Sequence, residues 1–296
     1  MKLEPETINV RTFDYDSAFS RNLGWLTESD QKIISKLRVG IVGLGGVGGQ
    51  YAEILTRLGV QNFIISDPDH FGIENTNRQN GCQISNYGKS KALVIRDRIK
   101  DINPMAQVRI IPEGLKPADV SDFCEGIDIY LDAIDFFEFD IRIALFRQMR
   151  ALGKAALTVA PFGAGAACIV FTEKSMSFDD YFGLHTAKDH LEKCFYFLLG
   201  LAPSMMQRLY LVERSRVDFS KGKTSSLPMG VYMCASVAAT TILKLALNRG
   251  QVQVAPHGIH FDPYLGKLKK SYVFWGCRNP LQKLKMLVFK KFLKKK

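Results

Sequence analysis

Short apolar runs alternate with amphipathic segments through the first half of the chain. Continuous apolar runs are typical of strands that are buried on both faces of a sheet, and apolar residues at spacings of three and four are typical of helices. The pattern predicts strands at 37–42, 62–66, 108–111, 127–131, 156–159 and 166–171, and helices at 47–58, 89–102, 117–124 and 140–151. Since such alternation favours parallel pairing with right-handed crossovers, we predict an α/β fold with a doubly wound, mainly parallel, Rossmann-like sheet.

The alternation fades after residue 171. Residues 178–216 are rich in aromatic side chains, and no element can be assigned to them. A helix is predicted near 229–247 and strands near 258–261 and 268–274, so helices and strands extend the sheet towards the C-terminus. The low-charge segment 227–243 contains Tyr232, Ser236 and Thr240 among small residues, which favours a buried helix over a membrane span.

Composition supports a large folded core. The 296-residue chain is 47% hydrophobic and 23% charged, which is typical of globular domains. Residues 1–16 contain charged residues and no continuous apolar run, so they do not resemble a secretory signal, and we expect a cytoplasmic protein. No two of the six cysteines form a Cys-x-x-Cys pair, so no structural zinc is expected and most cysteines are predicted to be core residues.

The net charge of +11 is unevenly distributed. The stretch 283–296 combines lysines with apolar residues such as Leu284, Leu287 and Phe289, and it contains no acidic residue. This pattern could form a basic amphipathic helix at the inner face of an anionic membrane. It could equally form a solvated tail, since runs of like charge are often no more than that.

A glycine-rich motif joins the first predicted strand to the first predicted helix. It has the spacing Gly-x-Gly-x-x-Gly, which allows a tight turn and lets backbone N–H groups approach a phosphate at the helix N-terminus. Asp67 ends the second strand 19 residues beyond Gly48, where a carboxylate can bind ribose hydroxyls. NAD and ATP fit these features equally well, and a plain tight turn is the alternative for the glycines alone.

The residues that follow favour ATP. Asn75-Thr-Asn-Arg78-Gln79 and then Lys91 place two cations and an amide close to the glycine turn in the predicted fold. Arginine binds phosphate oxygens in bidentate fashion and lysine acts as a point charge, which suits a triphosphate. Asp132 or Asp135, after the fourth strand, could hold Mg²⁺. Taken singly, these residues could also be surface cations or helix caps.

Together these motifs resemble the ThiF/MoeB/HesA family, the bacterial relatives of ubiquitin-activating enzymes. The resemblance covers about residues 20–171 well and the remainder loosely. The segment Asn-Thr-Asn-Arg-Gln is most similar to the corresponding segment of the branch that dehydrates a threonylcarbamoyl group on tRNA adenosine. The matching segments, in the family's order, are 38–48, 66–69, 75–79, 88–92, 102–104 and 132–135.

The resemblance implies an activity and roles for individual residues. The family binds Mg-ATP and adenylates a carboxylate with release of pyrophosphate, often on the C-terminus of a ubiquitin-like or sulfur-carrier protein. A small-molecule or tRNA-borne carboxylate is another implied substrate. Arg21 resembles the arginine that reaches into the partner subunit's site, which implies a homodimer. The implied ATP-binding residues are Gly43, Gly45, Gly46, Gly48, Asp67, Asp69, Asn75, Arg78, Gln79 and Lys91, with Asp135 as the Mg²⁺ ligand; Arg21, Arg78, Lys91 and Asp135 would assist catalysis.

These roles imply an organisation along the chain. Residues 1–36 form an N-terminal arm and helix, and 37–171 form the nucleotide-binding domain. Residues 172–282 continue the same domain as a substrate and dimer region, and 283–296 form a basic tail.

The sequence departs from the family at three points. The zinc-binding Cys-x-x-Cys pairs of many relatives are absent. Phe136 and Phe137 follow Asp135, where the family commonly has Asn, so the mouth of the pocket is expected to be more apolar. No cysteine aligns with the thioester-forming residue, and Cys194 and Cys234 are candidates by position alone.

Two other functions remain open. A non-catalytic ATP-binding partner, or a membrane-associated adaptor of the same fold, would account for the unplaced acceptor and the basic tail. An NAD-dependent oxidoreductase would share the glycines and Asp67, but it would leave Arg78, Lys91 and Asp135 without roles.

Overall fold

The computed structural model of the chain describes residues 13–219, 222 and 224–293, without the side chains of 288–293. Residues 1–12 of the expected N-terminal arm and Lys294–Lys296 of the expected tail therefore lie outside the described residues.

One sheet of eight strands organises the described chain, in the order β3-β2-β1-β4-β5-β6-β7-β8. The first five strands in this order are parallel, and β6, β7 and β8 pair antiparallel, so the mainly parallel sheet is confirmed. The strands are β1 (Arg38–Val42), β2 (Asn62–Ser66), β3 (Gln107–Ile111), β4 (Ile129–Asp132), β5 (Ala155–Phe162), β6 (Gly165–Phe171), β7 (His257–Asp262) and β8 (Lys267–Tyr272).

The strand order reverses between β1 and β4. At such a reversal the loops that leave the two strands run to opposite sides of the sheet, so a crevice opens at the carboxyl ends of the strands. This edge is where a ligand is expected in the fold.

Helices cover both faces of the sheet. On one face α3, α4 and α9 pack in a core with the strands, and on the other face α5, α6, α7 and α8 do so. The helices are α1 (Tyr15–Phe19), α2 (Glu28–Lys36), α3 (Gly46–Leu58), α4 (Lys91–Ile102), α5 (Val120–Glu125), α6 (Asp140–Ala151), α7 (Phe178–Phe182), α8 (His190–Leu201), α9 (Pro228–Ala246) and α10 (Pro280–Leu293).

Helix α9 is a core helix, as its small residues predict. Cys234, Ala238 and Ile242 are buried, and the helix packs against α3, β5 and β6. Among the described residues it is the one helix whose length and hydropathy would suffice to cross a bilayer.

The unassigned aromatic stretch folds as α7, α8 and short 3₁₀ turns. Its rings extend one core: Phe178 stacks on Phe146 of α6 at 4.3 Å between centroids, and Phe182 lies 4.9 Å from Phe197 of α8. The interior on this face is thus built of aromatic pairs, which contribute packing energy beyond the area they bury.

Candidate nucleotide-binding site

The glycine turn lies where the sequence places it, between β1 and α3. Gly43 has φ +87°, a left-handed conformation that glycine tolerates, and a Cβ there would overlap the carbonyl of Ala133. A Cβ on Gly48 would overlap the carbonyl of Gly43. These two glycines therefore let the turn pack against the end of β4 and let α3 begin close to β1.

Asp67 joins the end of β2 to the glycine turn. Its Oδ2 accepts a hydrogen bond from the backbone N–H of Leu44 at 2.5 Å, and its Oδ1 accepts one from Asp69 N at 2.8 Å. Burial raises the pKa of this carboxyl, although the Leu44 N–H and the charge of Lys91 oppose the effect. The carboxylate is thus fixed at the edge where ribose hydroxyls are expected.

Lys91 begins α4 and is held at the same edge. Its side chain is buried, and its Nζ lies 2.9 Å from Oδ2 of Asp69. The Asp69 side chain is 65% exposed, so the charge partner of Lys91 is a carboxylate at the surface. An arriving phosphate could take over this partnership without leaving a buried acid unpaired.

The segment Asn75–Gln79 folds over the glycine turn. Asn75 is buried, and its Oδ1 accepts from Gly72 N at 3.0 Å. A Cβ placed on Gly46 would lie 3.8 Å from Cγ of Arg78, and one placed on Gly45 would lie 3.4 Å from Nε2 of Gln79.

Arg78 and Gln79 differ in how their polar atoms are used. Arg78 Nη1 donates to Glu74 O and to Asn77 Oδ1, both at 2.9 Å, which holds the guanidinium in place. Among the described residues, Oε1 of Gln79 is buried without a hydrogen-bond partner, as are five other side-chain atoms, in Asn103, Gln207, His260 and Gln282. The atom is therefore available to a donor, but this feature alone does not mark a ligand site.

Asp132 and Asp135 have different environments. Both oxygens of Asp132 lie within 3.1 Å of Nε of Arg142, and both side chains are buried. Arg142 also donates to the carbonyl oxygens of Ile134 and Asp135, at 2.6 and 3.0 Å, so it fixes the loop after β4. Both carboxylate oxygens of Asp132 are therefore already engaged by Arg142.

Asp135 is exposed, and within the described parts of the chain its Oδ1 accepts one hydrogen bond, from Phe137 N at 3.0 Å. Among the described residues there is no cluster of three or more metal-binding side chains. Mg²⁺ commonly uses one or two carboxylates together with substrate phosphates and water. Asp135 alone fits that mode.

Arg21 does not join the site within its own chain. The neighbouring Asn22 donates from Nδ2 to Leu58 O at the C-terminal end of α3. The glycine turn lies at the other end of this helix, roughly 18 Å away at 1.5 Å per residue. Arg21 therefore lies near the C-terminal end of α3, away from the glycine turn of its own chain.

All six cysteines lie in described parts of the chain, and none forms a disulfide. Cys194 and Cys234, the two candidates by position, are fully buried. Burial raises the pKa of Cys194 to about 11, and it also raises the pKa of Cys234. A nucleophilic cysteine needs access and thiolate character, and neither residue has them in this structure.

Two contributors were missed by sequence reasoning. Asn77 Nδ2 donates to Ser226 O at 3.1 Å, and Val231 of α9 lies 3.4 Å from where a Cβ on Gly46 would be. The start of α9 therefore belongs to the wall of the site, although no motif marks it. Arg142 orders the loop before α6. Its only signal in the sequence is its position in an otherwise amphipathic helix.

Comparisons with known proteins agree on one family. A family model described as ThiF family matches residues 19–273. The tRNA threonylcarbamoyladenosine dehydratase of Haemophilus influenzae is 34% identical over 133 residues, 44% of this chain and 50% of that protein. The Bacillus subtilis protein of the same name is 32% identical over 126 residues, 42% and 50% of the two chains. The chain thus spans about half the length of these curated relatives.

Solved structures show the same fold. The crystal structure of PaaA superposes with a TM-score of 0.65 at 13% identity, covering 91% of this chain and 77% of that chain. The Escherichia coli threonylcarbamoyladenosine dehydratase TcdA, in complex with ATP, gives a TM-score of 0.56 at 24% identity, covering 79% and 95%. At these identities the likeness is one of fold.

Proposed function

Because the chain belongs to the ThiF family, we propose that it binds Mg-ATP at the glycine turn and adenylates a carboxylate, releasing pyrophosphate. The substrate classes are the C-terminus of a ubiquitin-like or sulfur-carrier protein, a small carboxylic acid and a tRNA-borne carboxylate. Relatives whose names include a tRNA dehydratase, a probable adenylyltransferase/sulfurtransferase and a ubiquitin-like modifier-activating enzyme motivate this range.

One observation carries the proposal: the Asn75–Gln79 segment closes over the glycine turn and brings the side chain of Arg78 against Gly46. Lys91, the first residue of α4, contacts Asp69, which follows the end of β2. An NAD-dependent oxidoreductase would need the glycines and Asp67 but not this group of cations, because NAD has no third phosphate to neutralise.

The chemistry proposed for the site is charge neutralisation. A carboxylate oxygen attacks the α-phosphorus of ATP, a new O–P bond forms, and the bond from the α-phosphorus to the bridging oxygen breaks as pyrophosphate leaves. Two anions must approach each other, so fixed cations that meet the developing charge lower the barrier. Arg78 and Lys91 would supply that charge and Asp67 would hold the ribose. Asp135 would hold Mg²⁺, which would supply further neutralisation of the phosphates.

The second step of this proposal uses an external nucleophile. Burial of Cys194 and Cys234 leaves neither sulfur able to reach an adenylate at the strand ends without rearrangement. The acyl adenylate would therefore pass to a nucleophile outside this chain, and not to Cys194 or Cys234.

The test begins with ligand binding and ends with exchange. We expect Mg-ATP, and not NAD, to raise the melting temperature, and a carboxylate substrate to promote exchange of labelled pyrophosphate into ATP. Lys91→Met should lower ATP affinity by about tenfold or more, since it removes a buried cation worth at least ~1.4 kcal/mol of ligand binding. Lys100→Met, in the last turn of the same helix, is the matched control and should bind as wild type.

Two results would count against the proposal. Stabilisation by NAD alone would favour the oxidoreductase. Tight ATP binding without exchange across carrier proteins, small acids and tRNA would favour the non-catalytic partner.

We propose a homodimer because Arg21 lies near the C-terminal end of α3, away from the glycine turn of its own chain. Beside it Trp25 is 89% exposed, an apolar surface suited to contact with a second copy. If Arg21 acts across the dimer, Arg21→Ala and Lys91→Met should each have much lower exchange activity than the wild type, and mixing them should restore part of it because one site per mixed dimer is intact. A monomer in solution, or no recovery on mixing, would refute the shared site.

A further inference from the structure

All of the chain's excess positive charge lies in its last 34 residues. Residues 263–296 contain ten lysines, one arginine and no acidic residue, so their charge of +11 equals the net charge of the whole chain. Residues 1–262 hold the remaining 29 basic residues against all 29 acidic ones and are balanced. The charge therefore belongs to one region and does not follow from the composition of the fold.

This region ends in α10, which is fixed to the body of the protein. Met286 is buried against Phe195 and Leu199 of α8. Gln282 donates from Nε2 to Leu199 O at 3.4 Å, and Lys285 donates from Nζ to Pro203 O at 2.8 Å. These contacts set the rotation of the helix and decide which side faces outward.

The outward side is apolar. Leu281, Leu284 and Leu287 are 66%, 57% and 59% exposed. Their spacing of three residues places them along one side of the helix. An ordinary solvated helix would carry polar residues there, since the apolar stripe of a surface helix normally faces the core.

The turn before α10 continues this surface. Phe274 and Trp275 have ring centroids 4.4 Å apart and are 46% and 58% exposed. Arg278 and Lys283 follow them in the chain and are exposed, and Arg278 also pairs with Asp180 at 3.6 Å. We refer to Phe274, Trp275, Arg278, Leu281, Lys283, Leu284 and Leu287 as the C-terminal patch.

We propose that the C-terminal patch docks on the surface of an anionic lipid bilayer. Leucine and tryptophan side chains enter at the depth of the headgroups, and the lysines pair with lipid phosphates, which is how basic amphipathic helices lie in the interface. Two signals are present, exposed apolar area and a cationic cluster, as reversible membrane attachment requires.

Lipid explains the patch better than RNA does. Aromatic rings and cations could serve either partner, since bases stack on aromatic side chains. Three outward leucines have no stacking partner on RNA, whereas acyl chains accept them. The complete absence of acidic residues after Asp262 suits the continuous negative charge of a membrane surface.

The experiment is sedimentation of the full-length protein with large unilamellar vesicles. We expect binding to vesicles of phosphatidylcholine with phosphatidylglycerol, little binding to phosphatidylcholine alone, and loss of binding as salt shortens the range of the attraction. Replacing Leu281, Leu284 and Leu287 by Ser should weaken partition by about tenfold or more, because apolar insertion is lost. Replacing Lys283, Lys290 and Lys291 by Gln should weaken it about tenfold or more, because each lysine near the surface contributes to the attraction.

Matched controls separate the patch from general effects. Replacing the exposed Leu93, Met105 and Leu152 by Ser removes similar apolar residues elsewhere, and replacing Lys32, Lys36 and Lys116 by Gln removes the same charge. Both controls should bind vesicles as wild type, and all variants should keep their melting temperature and their response to ATP.

Three outcomes would overturn the proposal. The first is equal binding to neutral and anionic vesicles, and the second is equal weakening of binding by the control variants. The third is a wild-type protein that does not bind vesicles, with patch variants that lose binding to tRNA or self-association instead. The inference is independent of which carboxylate is adenylated.

Discussion

The two halves of the chain place their buried polar side chains differently. In the nucleotide half, residues 13–162, several of them gather at the carboxyl ends of the strands, namely Asp67, Asn75, Lys91 and Asp132. In the aromatic half, residues 163–293, the buried Asp262 joins the end of β7 to other segments: Tyr210 Oη donates to its Oδ2 at 2.8 Å and Leu265 N to its Oδ1 at 3.2 Å. The first group faces the crevice where a ligand is expected, and the second group holds the fold together.

The sources of stability also differ. The strands of the nucleotide half pack aliphatic side chains under α3, α4 and α9. The aromatic half packs its rings against one another and against α6, so that α7 and α8 are held to the sheet by side chains such as Phe178 and Phe182. Mutations inside the aromatic core formed by α6, α7 and α8 should therefore affect folding without affecting ligand binding.

The largest effect is expected from Phe178→Ala in the aromatic half. Phe178 is 3% exposed and contacts the rings of Phe146, Phe171 and Phe182. Its truncation leaves a cavity and should lower the free energy of unfolding by about 3–5 kcal/mol, measured by urea denaturation. The ATP dissociation constant of the folded protein should not change.

Phe274→Ala is the matched control, because Phe274 is 46% exposed and should cost far less stability. If Phe178→Ala weakened ATP binding while the protein remained folded, the separation of the two halves would be wrong.

An intermediate effect is expected from Gly45→Ala in the nucleotide half. A Cβ on Gly45 meets nothing closer than 3.4 Å, so the fold should tolerate the methyl group. The methyl would occupy the space between the backbone N–H groups and a phosphate, so ATP affinity should fall by about tenfold, or ~1.4 kcal/mol. Isothermal titration calorimetry measures the affinity, and urea denaturation checks the fold.

Gly48→Ala provides the contrast, since its Cβ would overlap the carbonyl of Gly43 and should damage folding itself. Unchanged ATP affinity in folded Gly45→Ala would remove the glycine turn from the proposed phosphate site.

The sequence predicted most of the nucleotide half because its signals are local. β2 and α6 have the predicted bounds, and β1, α3 and α4 differ by one or two residues. Strand β4 begins at Ile129 and not at residue 127, because Asp128 is engaged with the backbone and side chain of Arg38 at the strand entrance. The predicted helix at 117–124 is divided into a 3₁₀ turn and α5.

The aromatic half could not be predicted in the same way. Aromatic residues at 178–201 face one another across α6, α7 and α8, so their spacing along the chain reflects tertiary contacts and not a single period. The ion pair of Asp132 with Arg142 joins a strand end to a helix, and nothing in the sequence distinguishes Asp132 from Asp135 as the free carboxylate. Both depend on contacts between distant elements.

The smallest effect is expected at the opposite end of the strands, where Asp128 pairs with Arg38 at the start of β1. Burial alone would raise the pKa of Asp128, but the hydrogen bonds and charge of Arg38 prevail and hold it below its usual value. The pair should therefore stabilise the fold above the unfolded-state pKa of ~3.9 and lose this contribution as pH falls through the lower folded pKa. The two side chains are 49% and 36% exposed, so the contribution should be below about 1 kcal/mol.

Asp67, at the ligand edge, should show the opposite sign, because its pKa is raised by burial. Its ionisation should cost stability as pH rises from the unfolded-state pKa through the folded one, until a ligand that accepts its hydrogen bonds compensates. Urea denaturation of Asp128→Asn and Asp67→Asn from pH 3 to 7, without ATP, should give stability differences from wild type that change in opposite directions with pH. If the two stability differences changed in the same direction with pH, the idea that Asp128 is a structural group and Asp67 a ligand-binding group would be wrong.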